Sequence, residues 1–377
     1  MAEELRASYC GRAVELAERG RAGAHPNPMV GAVVHRDGVV MGEGWHEEFG
    51  GPHAEVQALA DCVRRGHDPA GATVSVSLEP CSRQGKQPPC VEALTLASVG
   101  RVEVVSADPS EGGEGMRRLS EAGIDVQLLD PDAPEAVAER ELNQAFRKHA
   151  RTGTPRVVVK QAASLDGRTG SAGGDSRWIS GTESRALVHR WRGEADAVAV
   201  GIGAALADRP RLTSRDPATD RPAARQPTPV IFDSGARLPL DSPLVEMAPG
   251  SGLVVLAGTQ APDHRVGALA DAGAWVERLS GATPGDRIGA ALELLGGLGV
   301  AELLCEGGAT LAGALNDAGA IDELRIFVAP VVLGGAAAPG VLGASGSASM
   351  AAARHPEWVR WEASGPDRLA IARMRTW

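Results

Sequence analysis

Three short segments constrain this chain more than any other feature: His53-Ala54-Glu55, then Pro80-Cys81, then Cys90. An imidazole and two thiolates are suitable donors for one zinc ion, and a hydrolytic zinc site keeps three protein ligands and one position open to water. Each donor stands at the end of an expected element. A helix begins at about residue 53, the segment 73–78 alternates Val74, Val76 and Leu78 as a strand should, and a second helix covers about 90–97. Helix starts offer free N–H groups and the positive end of the dipole, which favours thiolate. Around them the pattern predicts a helix over 3–19 with Tyr9, Ala13, Leu16 and Ala17 on one face, a hairpin of strands 30–35 and 39–42 turning at Asp37-Gly38, and a strand at 101–106. This alternation is that of a layered α/β domain.

Glu55 adds the chemistry. Bound zinc brings the pKa of its water towards neutrality, and a nearby carboxylate that is not a ligand can take that proton and hand it to a leaving amine. A purely structural zinc site has no use for such a group. His-x-Glu followed by Pro-Cys and a second Cys is the pattern of the zinc deaminases. Nucleoside deaminases place two residues between the cysteines, whereas eight separate Cys81 from Cys90 here. Together with Asn27-Pro28-Met29-Val30-Gly31, His46 and Pro52-His53-Ala54-Glu55, that spacing resembles the deaminase half of the bifunctional riboflavin-biosynthesis deaminase/reductases, and the likeness extends over both halves of the chain. The resemblance implies a cytidine-deaminase-like three-layer α/β/α domain that removes the 2-amino group of a diaminopyrimidinone ribosylamine phosphate, with Asn27, His46 and Lys86 contacting substrate. Two departures stand out. Arg83 and Gln87 replace the family's usual His and Thr, and Ser110-Glu111-Gly112-Gly113 replaces an Asn-Pro pair with a longer glycine loop. They motivate an alternative: a pathway-specific paralogue doing the same chemistries on a related pyrimidine or nucleotide-like metabolite.

A charged helix is expected over 134–149, and Arg151-Thr152-Gly153-Thr154-Pro155 breaks it. The boundary is placed there, giving a deaminase domain at 1–150 and a reductase domain at 151–377. Strands follow at 156–160, 197–200, 230–232, 253–256 and 302–305, with a long Pro-, Arg- and Asp-rich loop between 207 and 229. No Gly-x-Gly-x-x-Gly opens a βαβ unit, so an ordinary Rossmann domain is not supported. Instead the strand at 302–305 runs into Glu306-Gly307-Gly308-Ala309-Thr310-Leu311-Ala312-Gly313-Ala314, where glycines admit a ligand to the backbone and a new helix offers N–H groups to a pyrophosphate. The runs Lys160-Gln161-Ala162-Ala163-Ser164-Leu165-Asp166-Gly167-Arg168, Ser176-Arg177-Trp178-Ile179-Ser180 and Ala207-Asp208-Arg209-Pro210-Arg211-Leu212-Thr213-Ser214-Arg215 resemble the reductase half of the same family. That implies a dihydrofolate-reductase-like α/β domain using NADPH to reduce a ring-opened ribose to a ribityl chain. By the same resemblance NADPH is held by Ala162, Trp178, Ala204, Ser234 and the turn bearing Gly308, Thr310, Leu311 and Gly313. The sugar phosphate is held by Ser176, Arg192, Leu212, Arg215 and Glu306, Asp208 lies between the two ligands, and Lys160 polarises or protonates the imine or carbonyl. Ala204 stands where a Thr is usual, and Arg209 where an acid or Asn follows Asp208.

Composition closes off other classes. The net charge is −10, twelve residues are aromatic and no basic run is long, which excludes general nucleic-acid binding and leaves a phosphorylated small molecule as the partner. Residues 326–353 carry no charge, but Pro330, Pro339 and repeated Gly make them a buried strand and a glycine-rich loop rather than a membrane span. Cys10, Cys62 and Cys305 lack ligand company and are expected to pack. No export signal opens the chain, so the cytoplasm is the expected compartment, and a homo-oligomer, dimer or larger, the expected assembly. Only three of the 38 basic residues are lysines. Lys86 and Lys160 fall inside the two candidate sites, and Lys148, beside Arg147 on a charged helix, is expected to be solvated.

Overall fold

The computed structural model describes residues 9–21, 23–176 and 179–377. The chain forms two units, Met1–Thr152 with Trp377, and Gly153–Thr376. The first is built from α1 (Tyr9–Glu18), β1 (Gly31–Arg36), β2 (Val39–Trp45), α2 (Ala54–Arg64), β3 (Thr73–Val76), α3 (Cys90–Leu96), β4 (Arg101–Val104), α4 (Glu114–Glu121), β5 (Asp125–Leu128), α5 (Pro134–Leu142) and α6 (Gln144–Thr152). Its sheet runs β2-β1-β3-β4-β5, antiparallel across the first three strands and parallel from β3 to β5. Period-2 alternation sends Ala32, Val34, Val74, Val76, Val102 and Val104 to one face, where Ala58, Leu94 and Leu119 cover them. Val33 points the other way, onto Ala13 and Leu16 of α1. Helices on both faces make three layers, and each fully buried Val or Leu contributes about 1.5–3 kcal/mol of burial.

Two glycines of β2 set how closely α2 approaches. A Cβ at Gly42 would lie 2.4 Å from the Ala58 carbonyl oxygen, and one at Gly44 2.4 Å from the Ala58 nitrogen. Only glycine permits this contact, and it fixes the first turn of α2, which carries Glu55.

Two expectations for this unit need correction. The helix expected over 134–149 is two helices, because Asn143 between them turns its side chain to the backbone of Met29. It accepts from the Met29 N–H at 2.8 Å and donates to the Met29 carbonyl at 2.8 Å, a side chain acting as a strand partner. Lys148 is not solvated. It is 5% exposed, and its Nζ lies 5.4 Å from the centre of the Trp377 ring, a contact no local pattern announces. Of the helix expected at 3–19, residues 3–8 lie outside the described residues.

The second unit comprises β6 (Arg156–Ser164), α7 (Thr182–Glu194), β7 (Ala197–Gly201), α8 (Ile202–Asp208), β8 (Thr228–Phe232), α9 (Pro243–Glu246), α10 (Ala248–Ser251), β9 (Val254–Gly258), α11 (Asp263–Asp271), β10 (Trp275–Leu279), α12 (Pro284–Gly297), β11 (Glu302–Cys305), α13 (Ala309–Asp317), β12 (Glu323–Ala329), β13 (Trp358–Ser364) and β14 (Asp367–Arg373). Its nine strands run β10-β9-β8-β7-β11-β6-β12-β14-β13. The first seven are parallel, and β14 and β13 close the sheet antiparallel. Val158, Val198 and Ile231 pack against Val188 and Trp191 of α7 on one face, while Val157, Val159 and Val230 pack against Leu292 and Leu295 of α12 on the other. Because β11 returns between β6 and β7, the carboxyl ends of these three strands lie side by side at the point where strand order reverses, where parallel sheets bind ligands. The opposite ends are closed by a buried ionic cluster. Arg156 reaches Glu302 and Glu323 at 2.6 Å each, and Arg373 lies 3.0 Å from Glu323.

Of residues 326–353, only the part within β12 is strand; the loop beyond leaves Val332 72% exposed. Among the described residues no helix is long and apolar enough to cross a membrane. Cys10, Cys62 and Cys305 are buried in the apolar clusters, as expected, and the Cys10 thiol also donates to Glu103 at 3.8 Å.

Candidate active sites

The three donors of the first unit converge. His53 is the N-cap of α2 with extended backbone, which frees its ring from the helix, and its Nδ1 lies 3.3 Å from Cys90 Sγ and 3.5 Å from Cys81 Sγ. Cys90 opens α3 and its backbone N–H donates to Cys81 Sγ at 3.3 Å. Hydrogen bonds from Cys90 and His53 pull the Cys81 thiol down to about 4 despite its burial, while the same partnership and deeper burial push Cys90 up. The two sulfurs and the imidazole nitrogen thus face one another. A tetrahedron with bonds of about 2.0–2.1 Å to N and 2.3 Å to S has edges of about 3.6 Å, so these spacings fit zinc at three corners. Among the described residues this is the one group of three such donors close enough to share an ion.

Glu55 is 3% exposed on the first turn of α2, and burial pushes its carboxyl above the usual range. It lines a cavity of about 180 Å³ with His53, Cys81, Asn27 and His46. His46 has a defined tautomer. Its Nδ1 is 3.1 Å from the Pro52 carbonyl, which can only accept, so Nδ1 carries the hydrogen and Nε2 accepts from Asn27 Nδ2 at 3.1 Å. Burial lowers its pKa, which keeps the ring neutral. Asn27 therefore spends an N–H on His46 and keeps its carbonyl oxygen.

The remaining wall holds carboxylates that the sequence did not single out as functional. Glu79 accepts the N–H groups of Gly115 at 3.0 Å and Met116 at 3.3 Å, closing the start of α4. Glu111 accepts from both the N–H (3.1 Å) and the hydroxyl of Ser82, the residue after Cys81, and so holds that ligand loop. Asp108 completes the group through the N–H and hydroxyl of Ser110. The two departures in this half meet where Arg83 donates to the Ser110 carbonyl at 2.9 Å, while Gln87 donates elsewhere, to the Gly50 carbonyl at 2.7 Å. Lys86 is exposed and lies outside the cavity lining, its Nζ 3.7 Å above the Phe49 ring.

In the second unit, Glu306 follows β11 directly and grips Arg192 of α7 with both oxygens, at 2.6 and 2.9 Å, while Arg192 also donates to the Thr213 carbonyl at 3.1 Å. Burial pushes Glu306 up, but the charge and hydrogen bonds of Arg192 and the charge of Lys160 hold it net below the usual range. Burial pulls Lys160 down, opposed by Glu306. Gln161, unnoticed in sequence, donates to the Gly307 carbonyl at 2.8 Å and so fixes the glycine turn against β6.

The other expected residues distribute as follows. Gly308 caps α13 with no side chain over the helix N–H groups and with nothing within 4 Å of where a Cβ would be, so the turn is open to a ligand's phosphates; Thr310 is exposed beside it. Leu311 is buried, and Gly313 packs against the loop, where a Cβ would fall 2.1 Å from the Gly343 carbonyl oxygen. Ala162 and Ala204 lie half-buried against the core, and Ser234 and Asp208 are exposed after β8 and at the end of α8. Leu212 is buried with a φ of 55°, an unusual backbone for Leu. Arg215 pairs at 3.1 Å with Asp220, and Arg209 donates to the Asp241 carbonyl at 2.5 Å. Ser176 is exposed, and Trp178 lies outside the described residues.

Comparison with known proteins gives two family matches: the RibD C-terminal domain over residues 155–369, and the cytidine and deoxycytidylate deaminase zinc-binding region over residues 4–106. The riboflavin biosynthesis protein RibD of Escherichia coli is 38% identical over 343 residues, 86% of this chain and 88% of that one. The Bacillus amyloliquefaciens protein of the same name is 36% identical over 364 residues, 95% of this chain and 94% of its own. Among solved structures, Acinetobacter baumannii RibD matches with a TM-score of 0.85 at 34% identity over the whole of both chains. A Thermotoga maritima diaminohydroxyphosphoribosylaminopyrimidine deaminase/5-amino-6-(5-phosphoribosylamino)uracil reductase matches with a TM-score of 0.82 at 28% identity over 99% of each.

Proposed function

The chain belongs to the RibD family of riboflavin biosynthesis, a zinc-binding deaminase fused to a reductase, and from that premise we propose which substrate it takes and which residues carry the two reactions. The substrate is a diaminopyrimidinone ribosylamine phosphate, deaminated in the first unit and reduced with NADPH in the second. His53, Cys81 and Cys90 hold zinc. Bound there, zinc supplies the Lewis acidity that makes a water acidic enough to attack near neutral pH. Glu55 accepts the proton that the attacking water sheds and delivers it to the departing amino nitrogen. Asn27 offers its free carbonyl oxygen to a ring N–H, oriented by neutral His46. The cavity, about 180 Å³, is smaller than the roughly 300–1,000 Å³ of whole-ligand pockets, which suits a ring held inside and a sugar phosphate left at the rim, within reach of Lys86.

In the second unit the open turn at Gly308, with Thr310 and Leu311 following it, would hold NADPH together with Ala162, Ala204 and Ser234. When bound, NADPH supplies the hydride. Arg192, held straight by Glu306, binds the sugar phosphate together with Ser176, Leu212 and Arg215, and Asp208 stands between the ligands. Lys160 holds a proton at Nζ and gives it to the nitrogen or oxygen of the bond being reduced, and its lowered pKa makes that transfer easier. The five cysteines form no disulfide, which suits a reducing compartment, and we assign the cytoplasm on that ground. We also assign a homo-oligomer.

One observation carries the deaminase reading: a buried carboxylate, itself no ligand, beside three converged donors. Glu55→Gln is expected to keep bound zinc and to lose ammonia release by roughly 10²–10⁴-fold. Undiminished ammonia release would contradict the mechanism. Contact between Arg83 and Ser110, both departures, favours a second reading as a paralogue for a related metabolite. Complementation of a riboflavin auxotroph separates the two, since a paralogue fails.

A further inference from the structure

The cavity of the first unit holds one carboxylate that the deaminase mechanism leaves without a task. Four acidic side chains line its wall, Glu55, Glu79, Asp108 and Glu111. Glu55 serves the proton transfer. Glu79 spends both oxygens on backbone N–H groups, Oε1 on those of Gly115 and Met116 and Oε2 on that of Asp108 at 3.3 Å. Asp108 receives the N–H and hydroxyl of Ser110. Glu111 is different. Both of its hydrogen bonds, from the N–H and the hydroxyl of Ser82, fall on Oε2, and Oε1 has no partner among the described residues. The guanidinium groups that reach these loops end on carbonyls instead, Arg83 on that of Ser110 and Arg118 on that of Ser82. Glu111 is only 9% exposed. A carboxylate oxygen withdrawn this far from water needs a donor, and here a ligand in the cavity must supply it.

The oxygen is also held in place. Glu111 lies in the segment that stands where the family keeps an Asn-Pro pair. The N–H groups of Glu111 and Gly112 both return to the Asp108 carbonyl at 3.2 Å. Gly112 and Gly113 take left-handed backbone, with φ of 64° and 86°, which turns the chain directly into α4. Ser82 pins the side chain from the opposite loop. Backbone and carboxylate are therefore fixed before a ligand arrives, so little ordering is left to oppose binding. The acceptor character of the wall selects a class of ligand. A carboxylate oxygen and the spare carbonyl oxygen of Asn27 can only accept. A cytosine-type ring carries one exocyclic amino group, and that group leaves. A diaminopyrimidinone carries a second, which the reaction retains.

We infer that Glu111 is a specificity-determining residue of the deaminase site: its Oε1 accepts an N–H from the amino group that stays on the pyrimidine, and so selects such rings over those that carry only the departing amine. This rests on the diaminopyrimidinone substrate proposed above. The test measures KM and kcat for ammonia release from that substrate and from its analogue with hydrogen in place of the retained amino group. Glu111→Gln is the informative variant. The Ser82 N–H can only donate, so it keeps the glutamine oxygen, and an NH2 group takes the place of Oε1: the loop stays held while the acceptor becomes a donor. The native chain is expected to favour the amino-bearing substrate by roughly 10²-fold or more in kcat/KM, and Glu111→Gln to lose most of that preference through KM with bound zinc unchanged. Ser82→Ala reads the holding role separately. It removes a bond to Oε2 and leaves Oε1 in place, so it is expected to affect both substrates alike and to preserve their ratio. A native chain without the preference, a preference that survives Glu111→Gln, or one that Ser82→Ala abolishes equally overturns the inference and leaves the substrate assignment standing. No ammonia from the diaminopyrimidinone phosphate with the zinc-loaded native chain overturns both.

Discussion

At the scale of single residues, lysine scarcity proved a guide to chemistry only where geometry agreed. Lys160 stands on β6 among Glu306 and Arg192, in a setting that lowers its pKa. An arginine there would keep the charge but could not release a proton near neutral pH. Lys160→Arg is therefore expected to lower the rate of reduction by roughly 10²-fold or more while ammonia release is unchanged, measured on the same preparation. Lys148 shows where composition misleads. Its neighbours Arg147, His149 and Arg151 suggest a solvated face, yet Lys148 is buried under Trp377, 229 positions further along the chain. Arg147 is also buried, against Glu139 at 3.2 Å. The donors His53, Cys81 and Cys90 were legible because metal chemistry demands those residue types; the groups that hold them, such as Glu111 on Ser82, were not, because any polar side chain of suitable reach serves.

At the scale of elements, strands were read most reliably where apolar runs are short and buried, as at Glu302–Cys305, where both bounds agree with the sequence expectation. Helix ends decided by a distant partner were not readable, as Asn143 and Met29 show. Asp166 is an intermediate case. An Asp-Gly pair such as Asp166-Gly167 suits a turn, but its partners are set from a distance: the carboxylate accepts from Ser164 Oγ at 2.7 Å and from the N–H groups of Leu333 and Gly334 at 3.0 and 2.7 Å. It thereby ties the glycine-rich loop after β12 to the end of β6. These hydrogen bonds, led by Ser164, hold its pKa below the usual aspartate range. A carboxyl whose folded pKa lies below its unfolded value adds stability that is present above the unfolded pKa and is lost as pH falls towards the folded one. The loop is accordingly expected to loosen below about pH 4, the unperturbed aspartate value. Hydrogen exchange at Leu333 and Gly334 checks this: protection should drop on acidification, and Asp166→Asn should show reduced protection already at neutral pH. Unchanged protection in that variant would remove Asp166 as the tether.

At the scale of the whole molecule, the break at 151–155 and the two sets of motifs announced two units, because each half carries enough apolar sequence for its own core. The same length argues that neither core needs the metal as a staple. The donors lie at element ends, His53 capping α2 and Cys90 opening α3, while the first unit buries Val34, Val76, Leu94, Val104 and Leu119 away from them. A small zinc finger unfolds without its ion because it has no such core. Here removal of zinc is expected to leave the packed layers intact and to take away only the hydrolytic site. Dialysis against a strong chelator is therefore expected to abolish ammonia release, to leave far-UV circular dichroism unchanged, and to spare reduction when the deaminated intermediate is supplied directly with NADPH. Returning one equivalent of zinc should restore deamination without altering reduction. Loss of reduction on chelation would show that the second unit needs the metal as well, and loss of the circular dichroism signal would show that the first unit's core does not stand without it.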